Sequence, residues 1–335
     1  MKIAIHHIQD SFSEGWILYC KENNINYKLV NAYESNIIEQ VADCDVFMWH
    51  YRQHDYKDML AAKSILFAIE QSGKKVFPNF NSAWHFDDKV AQKYLLEAIG
   101  APLVPSWVFY DKSTAKKWAN NTNYPKVFKL TGGASAINVK LVHNRKQCLA
   151  LIDKAFSNGF KQNDYLYQFK DRLKKFKDNK IKFYQIFSPL YHIVKPTLFD
   201  KMSNNEKGYV YFQEFIPNND SDIRVIVIDR KAFAIKRMVR ENDFRASGSG
   251  KILYDINLID LRCISIALET SLKLNAQSLA YDFIFDNNNC PKLIEISYGF
   301  LLKAYDNCEG YWDENLNFIK AEINSSKWII EQFLE

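Results

Sequence analysis

The chain has 335 residues, 47% hydrophobic and 15% aromatic, and a formal net charge of +5. That length carries two or three domains and a large core, and no apolar run approaches the ~20 residues of a transmembrane helix. Six cysteines without a Cys-x-x-Cys pair read as reduced packing thiols of a cytoplasmic protein.

Residues 1–80 alternate short apolar runs with helical patterns. Strands are expected at 2–8, 27–30, 45–49 and 75–78, and helices at 16–22 and 55–71, which together make a small parallel α/β domain. The first run lacks the long apolar region of a signal peptide. A linking segment follows at 81–109. It holds a helix at 82–99, with Ser82 as N-cap and Gly100 as its stop, and a strand at 107–110. In a second domain, 110–206, a hairpin is expected at 125–142 around Thr131-Gly-Gly-Ala-Ser-Ala136, then a helix at 145–156. Residues 161–207 form a basic insertion of 11 Lys/Arg against 5 Asp/Glu, which leaves the rest of the chain at −1. A solvated helix face fits that charge. So does a site for an anionic partner such as an acidic glycan, a lipid-linked carrier or a membrane surface. No supporting motif points to nucleic acid, and no such partner is expected. The last domain, 207–335, reads as a strand at 209–216, a hairpin of 222–228 with 232–239, a helix at 255–274, a second hairpin and a final helix at 316–334.

The second hairpin carries the sharpest signal. In Ala280-Tyr-Asp-Phe-Ile-Phe-Asp-Asn-Asn-Asn-Cys-Pro-Lys-Leu-Ile-Glu-Ile-Ser297, a loop of Asn287 to Cys290 pairs Asp286 with Pro291 and Asp282 with Glu295. Ser297 then shares their face. Two opposed carboxylates among apolar neighbours need a proton, a cation or a metal. An oxygen-only set suits Mg2+ with nucleotide phosphates as further ligands.

Four other segments carry weaker signals. Lys129 leads into the small-residue loop containing Gly132, Gly133 and Ser135, whose backbone N–H groups can approach a phosphate; a plain hairpin turn fits equally. In Asp222-Ile-Arg…Ile-Lys-Arg237, a three-residue turn at 229–231 sets Arg224 opposite Lys236, which repel unless an anion lies between them. Surface salt bridges with Asp222 are the plainer reading. Asp243-Phe-Arg-Ala-Ser-Gly-Ser-Gly-Lys251 is either a phosphate-wrapping loop or a connector. Tyr211-Phe-Gln-Glu-Phe-Ile-Pro217 is either an adenine-contacting strand end or a core strand. Tyr311 and Trp312 read as a ring platform for an acceptor or as an aromatic cap on the last helix. His6, His7 and His50, at strand ends of the first domain, read as structural histidines, with a substrate-facing role as the alternative because ligands favour such ends in open α/β sheets.

Taken in order, these segments resemble an ATP-grasp enzyme (α/β, of the α+β ATP-grasp type) over residues 80–300. The sequence is similar to the ribosomal-protein glutamate ligase type, with its Gln-Glu-Phe-Ile, Asp-Ile-Arg and Asp-Phe-Arg segments. It is closer to ATP-grasp proteins of bacterial surface-polysaccharide gene clusters, through Asp-Phe-Arg-Ala-Ser-Gly-Ser-Gly-Lys, Ala-Tyr-Asp-Phe and Glu-Ile-Ser-Tyr. The resemblance implies that Lys89 and Lys129 bind nucleotide phosphates and that Glu214 and Phe215 form the adenine hinge. Asp222, Arg245, Ala246 and Ser247 would contact the nucleotide. Asp282, Glu295 and Ser297 would hold Mg2+, or Mn2+ in its place, with serine where relatives carry asparagine at both 247 and 297. Arg224, Lys236 and Arg237 would stabilise the transferring phosphoryl group. The implied reaction is ATP-dependent ligation of a small-molecule or glycan-linked carboxylate to an amine through an acyl phosphate. A kinase on the same fold and a non-catalytic nucleotide-binding module are the alternatives. A homodimer, and a peripheral contact with a membrane or lipid-linked glycan through 161–207, complete the expected partners.

Overall fold

The computed structural model describes the whole chain except residues 133–137, 164, 166–167, 170–171, 174–175, 177–180, 203, 240–250 and 335, and the side chains of 198 and 199. The chain forms two compact units. Unit 1 comprises Met1–Phe86, Ala91–Leu103 and Ile216–Glu335; unit 2 comprises Asp87–Val90 and Val104–Phe215.

Unit 1 begins with four parallel strands, β1 (Lys2–His6), β2 (Asn26–Val30), β3 (Val46–Trp49) and β4 (Lys75–Phe77), in the order β2-β1-β3-β4. All four residues of β3 are buried, as are four of the five in β1. Near-continuous apolar strands of this kind belong in a sheet covered on both faces. The helix Phe12–Glu22 starts earlier than its apolar pattern suggests, because the Ser11 side chain accepts the Ser13 N–H and caps it there. Asp55 caps Tyr56–Gln71 in the same way.

The single helix expected at 82–99 is two. Phe80–Ala83 is capped by Asn79, not Ser82, and Lys89–Ala98 follows after a break. Asp87 lies in the left-handed region at φ 55°, which no right-handed helix can accommodate. Gly100, at φ 70°, ends the second helix as its sequence position suggests.

His85 lies in that break, fully buried, and burial pushes its imidazole down to about 4. The folded chain therefore holds it neutral while the unfolded chain protonates it near 6.5. Its stabilising contribution is complete above pH 6.5 and is lost as pH falls towards 4, by up to roughly 1.4 kcal/mol per pH unit. Denaturant midpoints measured across this window are expected to fall with pH, and to fall less in His85→Met.

Unit 2 is built on an antiparallel sheet of β5 (Ser106–Phe109), β6 (Lys126–Lys129), β7 (Lys140–Val142) and β8 (Val210–Glu214), in the order β5-β8-β6-β7. β6 and β7 form the hairpin expected at 125–142. Its core joins Phe128, Phe212 and Ile152 with Trp118, from a helix at Lys112–Asn121 that the sequence reading left out. The overlooked signal was Asp111, whose side chain caps that helix on the Thr114 N–H.

The second sheet of unit 1 comprises β9 (Ser221–Ile228), β10 (Lys231–Met238), β11 (Ile252–Leu253), β12 (Ser278–Phe285), β13 (Pro291–Ser297), β14 (Gly310–Trp312) and β15 (Phe318–Lys320). Its order is β13-β12-β9-β10-β14-β15, with β11 beside β10. The helix expected at 255–274 is a 3₁₀ turn, Ile256–Leu258, and then Leu261–Leu274, capped by Asp260. The last helix is Ser325–Leu334 rather than 316–334, since Leu316 is left-handed at φ 63° and an Asp313–Asn317 turn leads into β15. Tyr311 packs its ring 5.1 Å from Trp328 of the last helix, while Trp312 is buried with its ring 5.0 Å from that of Phe318 in β15.

Candidate functional site

The β12–β13 hairpin pairs Asp282 with Glu295 and Ala280 with Ser297. The route to that register differs from the sequence reading. The turn is one residue longer, because Phe285 rather than Asp286 pairs with Pro291. Asp286 closes it by accepting the N–H groups of Asn288 and Cys290. A bulge at Ile294 then restores the offset before Glu295. The two differences cancel, and the carboxylates stay opposed.

β9 lies on the other side of β12 and sets Arg224 beside Asp282. Arg224 Nε donates to Oδ1 at 2.5 Å and Nη2 to Oδ2 at 2.6 Å. Arg237 Nη2 approaches Oδ2 at 2.9 Å. Arg237 also makes a two-pronged pair with Asp222, its Nε donating to Oδ1 at 2.7 Å. Two aspartates and two arginines thus alternate on one sheet face, and Asp222, Arg237 and Asp282 are buried. Burial alone would push the Asp282 carboxyl up. Arg224 and Arg237 outweigh it and hold that carboxyl well below the usual carboxylate range.

The expected opposition of Arg224 and Lys236 is not formed. The β9–β10 turn has two residues, Asp229 and Arg230, with Asp229 left-handed at φ 54° as such turns require. The register therefore shifts by one, so that Arg224 faces Ile235 and Lys236 faces Ile223. Strand alternation puts Lys236 on the sheet face opposite Arg224, Arg237 and Asp282.

Asp282, Glu295 and Ser297 offer oxygen donors only. Among the described residues no three His, Cys, Asp or Glu side chains gather to hold a metal, so any ion here relies on the hydroxyl as well. Arg224 uses one lone pair on each Asp282 oxygen and Arg237 a second on Oδ2, leaving acceptor capacity on Oδ1. Ser297 Oγ donates its proton to the Gly299 carbonyl at 2.9 Å, so its lone pairs remain available. This set fits an oxygen-seeking divalent cation such as Mg2+.

In unit 2 the buried Lys129 Nζ donates to Gln213 Oε1 at 2.7 Å. Gln213 Nε2 and Tyr211 Oη each donate to Ser106 Oγ, at 3.1 and 2.9 Å. On the other sheet face, Lys126 Nζ binds both Glu214 oxygens, at 2.9 and 2.8 Å, and lies 5.3 Å over the Trp107 ring. The Glu214 N–H donates to the Pro105 carbonyl. Lys89 is buried, and its N–H donates to the Thr131 carbonyl.

The backbone after Lys129 does bind an anion, but an internal one. Glu206 accepts the Thr131 N–H at 2.9 Å and the Gly132 N–H at 3.3 Å. Backbone hydrogen bonds in both directions with Phe160 hold Glu206 in place. The sequence reading missed Lys126, Gln213, Ser106 and Glu206. Two lysines within the buried strand Lys126-Val-Phe-Lys129 were the available signal, since buried cations require acceptors on a neighbouring strand. Gly133, Ser135, Arg245, Ala246 and Ser247 lie outside the described residues.

Residues 197–310 match the RimK-like ATP-grasp domain. No curated protein matches the chain significantly. Among solved structures, the chain resembles a RimK domain ATP-grasp protein of Sphaerobacter thermophilus (TM-score 0.57, 13% identity, 100% of both chains covered). It also resembles the D-alanine–D-alanine ligase of Bacillus anthracis (0.53, 14%, 100% of this chain and 97% of that one). The biotin carboxylase of Campylobacter jejuni is similar too (0.56, 15%, 90% and 66%).

Proposed function

We propose that this chain, which has the ATP-grasp fold and carries a RimK-like ATP-grasp domain at 197–310, is an ATP-dependent carboxylate–amine ligase. The observation that carries the proposal is the Asp282–Glu295 pair, opposed in register within that domain, with two guanidinium groups on Asp282. Such a face gathers fixed positive charge and metal-binding oxygen at one place, as transfer of a phosphoryl group requires.

In unit 1, Asp282, Glu295 and Ser297 would hold Mg2+, which when bound supplies charge neutralisation to the nucleotide phosphates. Arg224 and Arg237 would steady the transferring phosphoryl group and the acceptor carboxylate, while Asp222 fixes Arg237 in its orientation. Lys236 is left out of this set by its sheet face. In unit 2, Lys89 and Lys129 would bind nucleotide phosphates, and the Glu214–Phe215 segment the adenine; the Gly132 N–H is left out of this set because it donates to Glu206. Gln213 and Ser106 fix the Lys129 ammonium. The acyl phosphate formed on the carboxylate is then attacked by the amine, releasing phosphate. The sequence resemblance to proteins of surface-polysaccharide gene clusters supports a sugar acid or amino acid as substrate in that biosynthesis.

Mg-ATP turnover with a panel of uronic acids, amino acids and amines tests the reading. The expected result is ADP and phosphate release stimulated by one acid–amine pair, with a product of the mass of the amide. ATP turnover that no pair stimulates, or a phosphorylated product without amide, would overturn it.

A further inference from the structure

Among the described residues 24 large apolar side chains are exposed, and nine of them fall between Leu173 and Met202, so exposure of this kind is concentrated in one segment. Its centre is helical, a 3₁₀ turn at Phe183–Phe187 running into the helix Ser188–Val194. Ile186 and Pro189 are buried. Phe187, Tyr191 and Val194, spaced i, i+4 and i+7, share the outward face and are 46%, 57% and 87% exposed. Phe183, with its ring 5.3 Å from that of Phe187, extends the stripe, and Tyr184 stands exposed beside it. A merely solvated helix face would turn polar side chains outward; this one turns aromatics.

Charge names the partner. Lys182 and Lys195 bracket the stripe, both exposed, and Lys201 and Lys207 follow on the surface. The surrounding 161–207 stretch holds 11 Lys/Arg against 5 Asp/Glu. Exposed aromatic rings rimmed by lysines match the boundary between anionic headgroups and acyl chains, where rings enter and ammonium groups remain in the headgroup layer.

We propose that Phe183–Val194 is a peripheral docking surface for an anionic phospholipid bilayer. The surface lies within unit 2 and does not depend on the ligase reading.

The test is co-sedimentation of the full chain with vesicles of phosphatidylcholine alone and of phosphatidylcholine with phosphatidylglycerol. Binding is expected only to the anionic vesicles, and added salt should weaken it. The double variants Phe187→Ser/Tyr191→Ser and Lys182→Glu/Lys195→Glu should each lower the partition coefficient by roughly tenfold. Neither should change the unfolding midpoint or the rate of ATP turnover. Absence of binding to anionic vesicles overturns the proposal, and so does equal binding by the aromatic variant. Sedimentation equilibrium covers the other occupant. A self-associated wild type that becomes monomeric in Phe187→Ser/Tyr191→Ser, without vesicle binding by either, would assign the stripe to a second copy of the chain and overturn the proposal.

Discussion

Asp282→Ala is expected to lower the unfolding free energy by roughly 3 kcal/mol and to abolish Mg-ATP turnover. Removing one member of a buried ion pair leaves its partner's charge uncompensated, at a cost of about 3–5 kcal/mol. The low end applies because Arg237 retains Asp222 while the partly exposed Arg224 can still reach water. Urea unfolding followed by tryptophan fluorescence measures the stability change, and coupled ADP detection measures turnover. Asp282→Asn separates the two effects. It retains an acceptor for one guanidinium and so recovers part of the stability. It removes the anion on which a divalent cation depends, and turnover should stay absent. If Asp282→Asn turned over Mg-ATP normally, the assignment of this hairpin to metal binding would be untenable.

Glu295→Gln should behave in the opposite way, with little change in stability and a large loss of activity. Glu295 is only half-buried and faces Asp282 directly, so neutralising it also removes a like-charge repulsion across the hairpin. The net stability change should stay within about 1 kcal/mol. Loss of one of two anionic ligands should raise the Mg2+ concentration needed for half-maximal turnover by on the order of 100-fold. Titrating MgCl2 at fixed ATP gives that number directly. Manganese binding to the nucleotide-free variant, followed by electron paramagnetic resonance, gives a second readout that does not pass through catalysis. Equal Mg2+ requirements for wild type and Glu295→Gln would remove Glu295 from the metal set.

Local chemistry governed what could be read from the sequence. Apolar alternation located most strands, and the Asp282–Glu295 pairing followed from it. That pairing survived only because a longer turn and a bulge offset one another. The Arg224–Lys236 opposition had no such compensation. The turn at Asp229 is one residue shorter than the expected three, and this puts Lys236 on the other face, as any odd shift must in a strand of period two. The break at Asp87 and the turn at Leu316 were hidden because left-handed backbone at a non-glycine residue has no apolar signature. The pairing of Arg224 with Asp282 joins residues far apart in the chain, and it required knowing that β9 lies beside β12. The Glu206 carboxylate on the Thr131 and Gly132 N–H groups was hidden for the same reason.

The bulge at Ile294 lies between the carboxylate pair and the tip of the β12–β13 hairpin. On the sheet side, pairing with β9 and the Ile296 N–H on Gln92 Oε1 pin the carboxylate register. On the far side, the Asp286 side chain accepts the Asn288 and Cys290 N–H groups, and Asn219 holds both backbone groups of Phe285. Cys290, the exposed cysteine of the chain, belongs to that tip. A fluorophore attached to its thiol would therefore sit on the loop side of the bulge, labelling the tip without touching the Asp282–Glu295 register, which pairing with β9 holds.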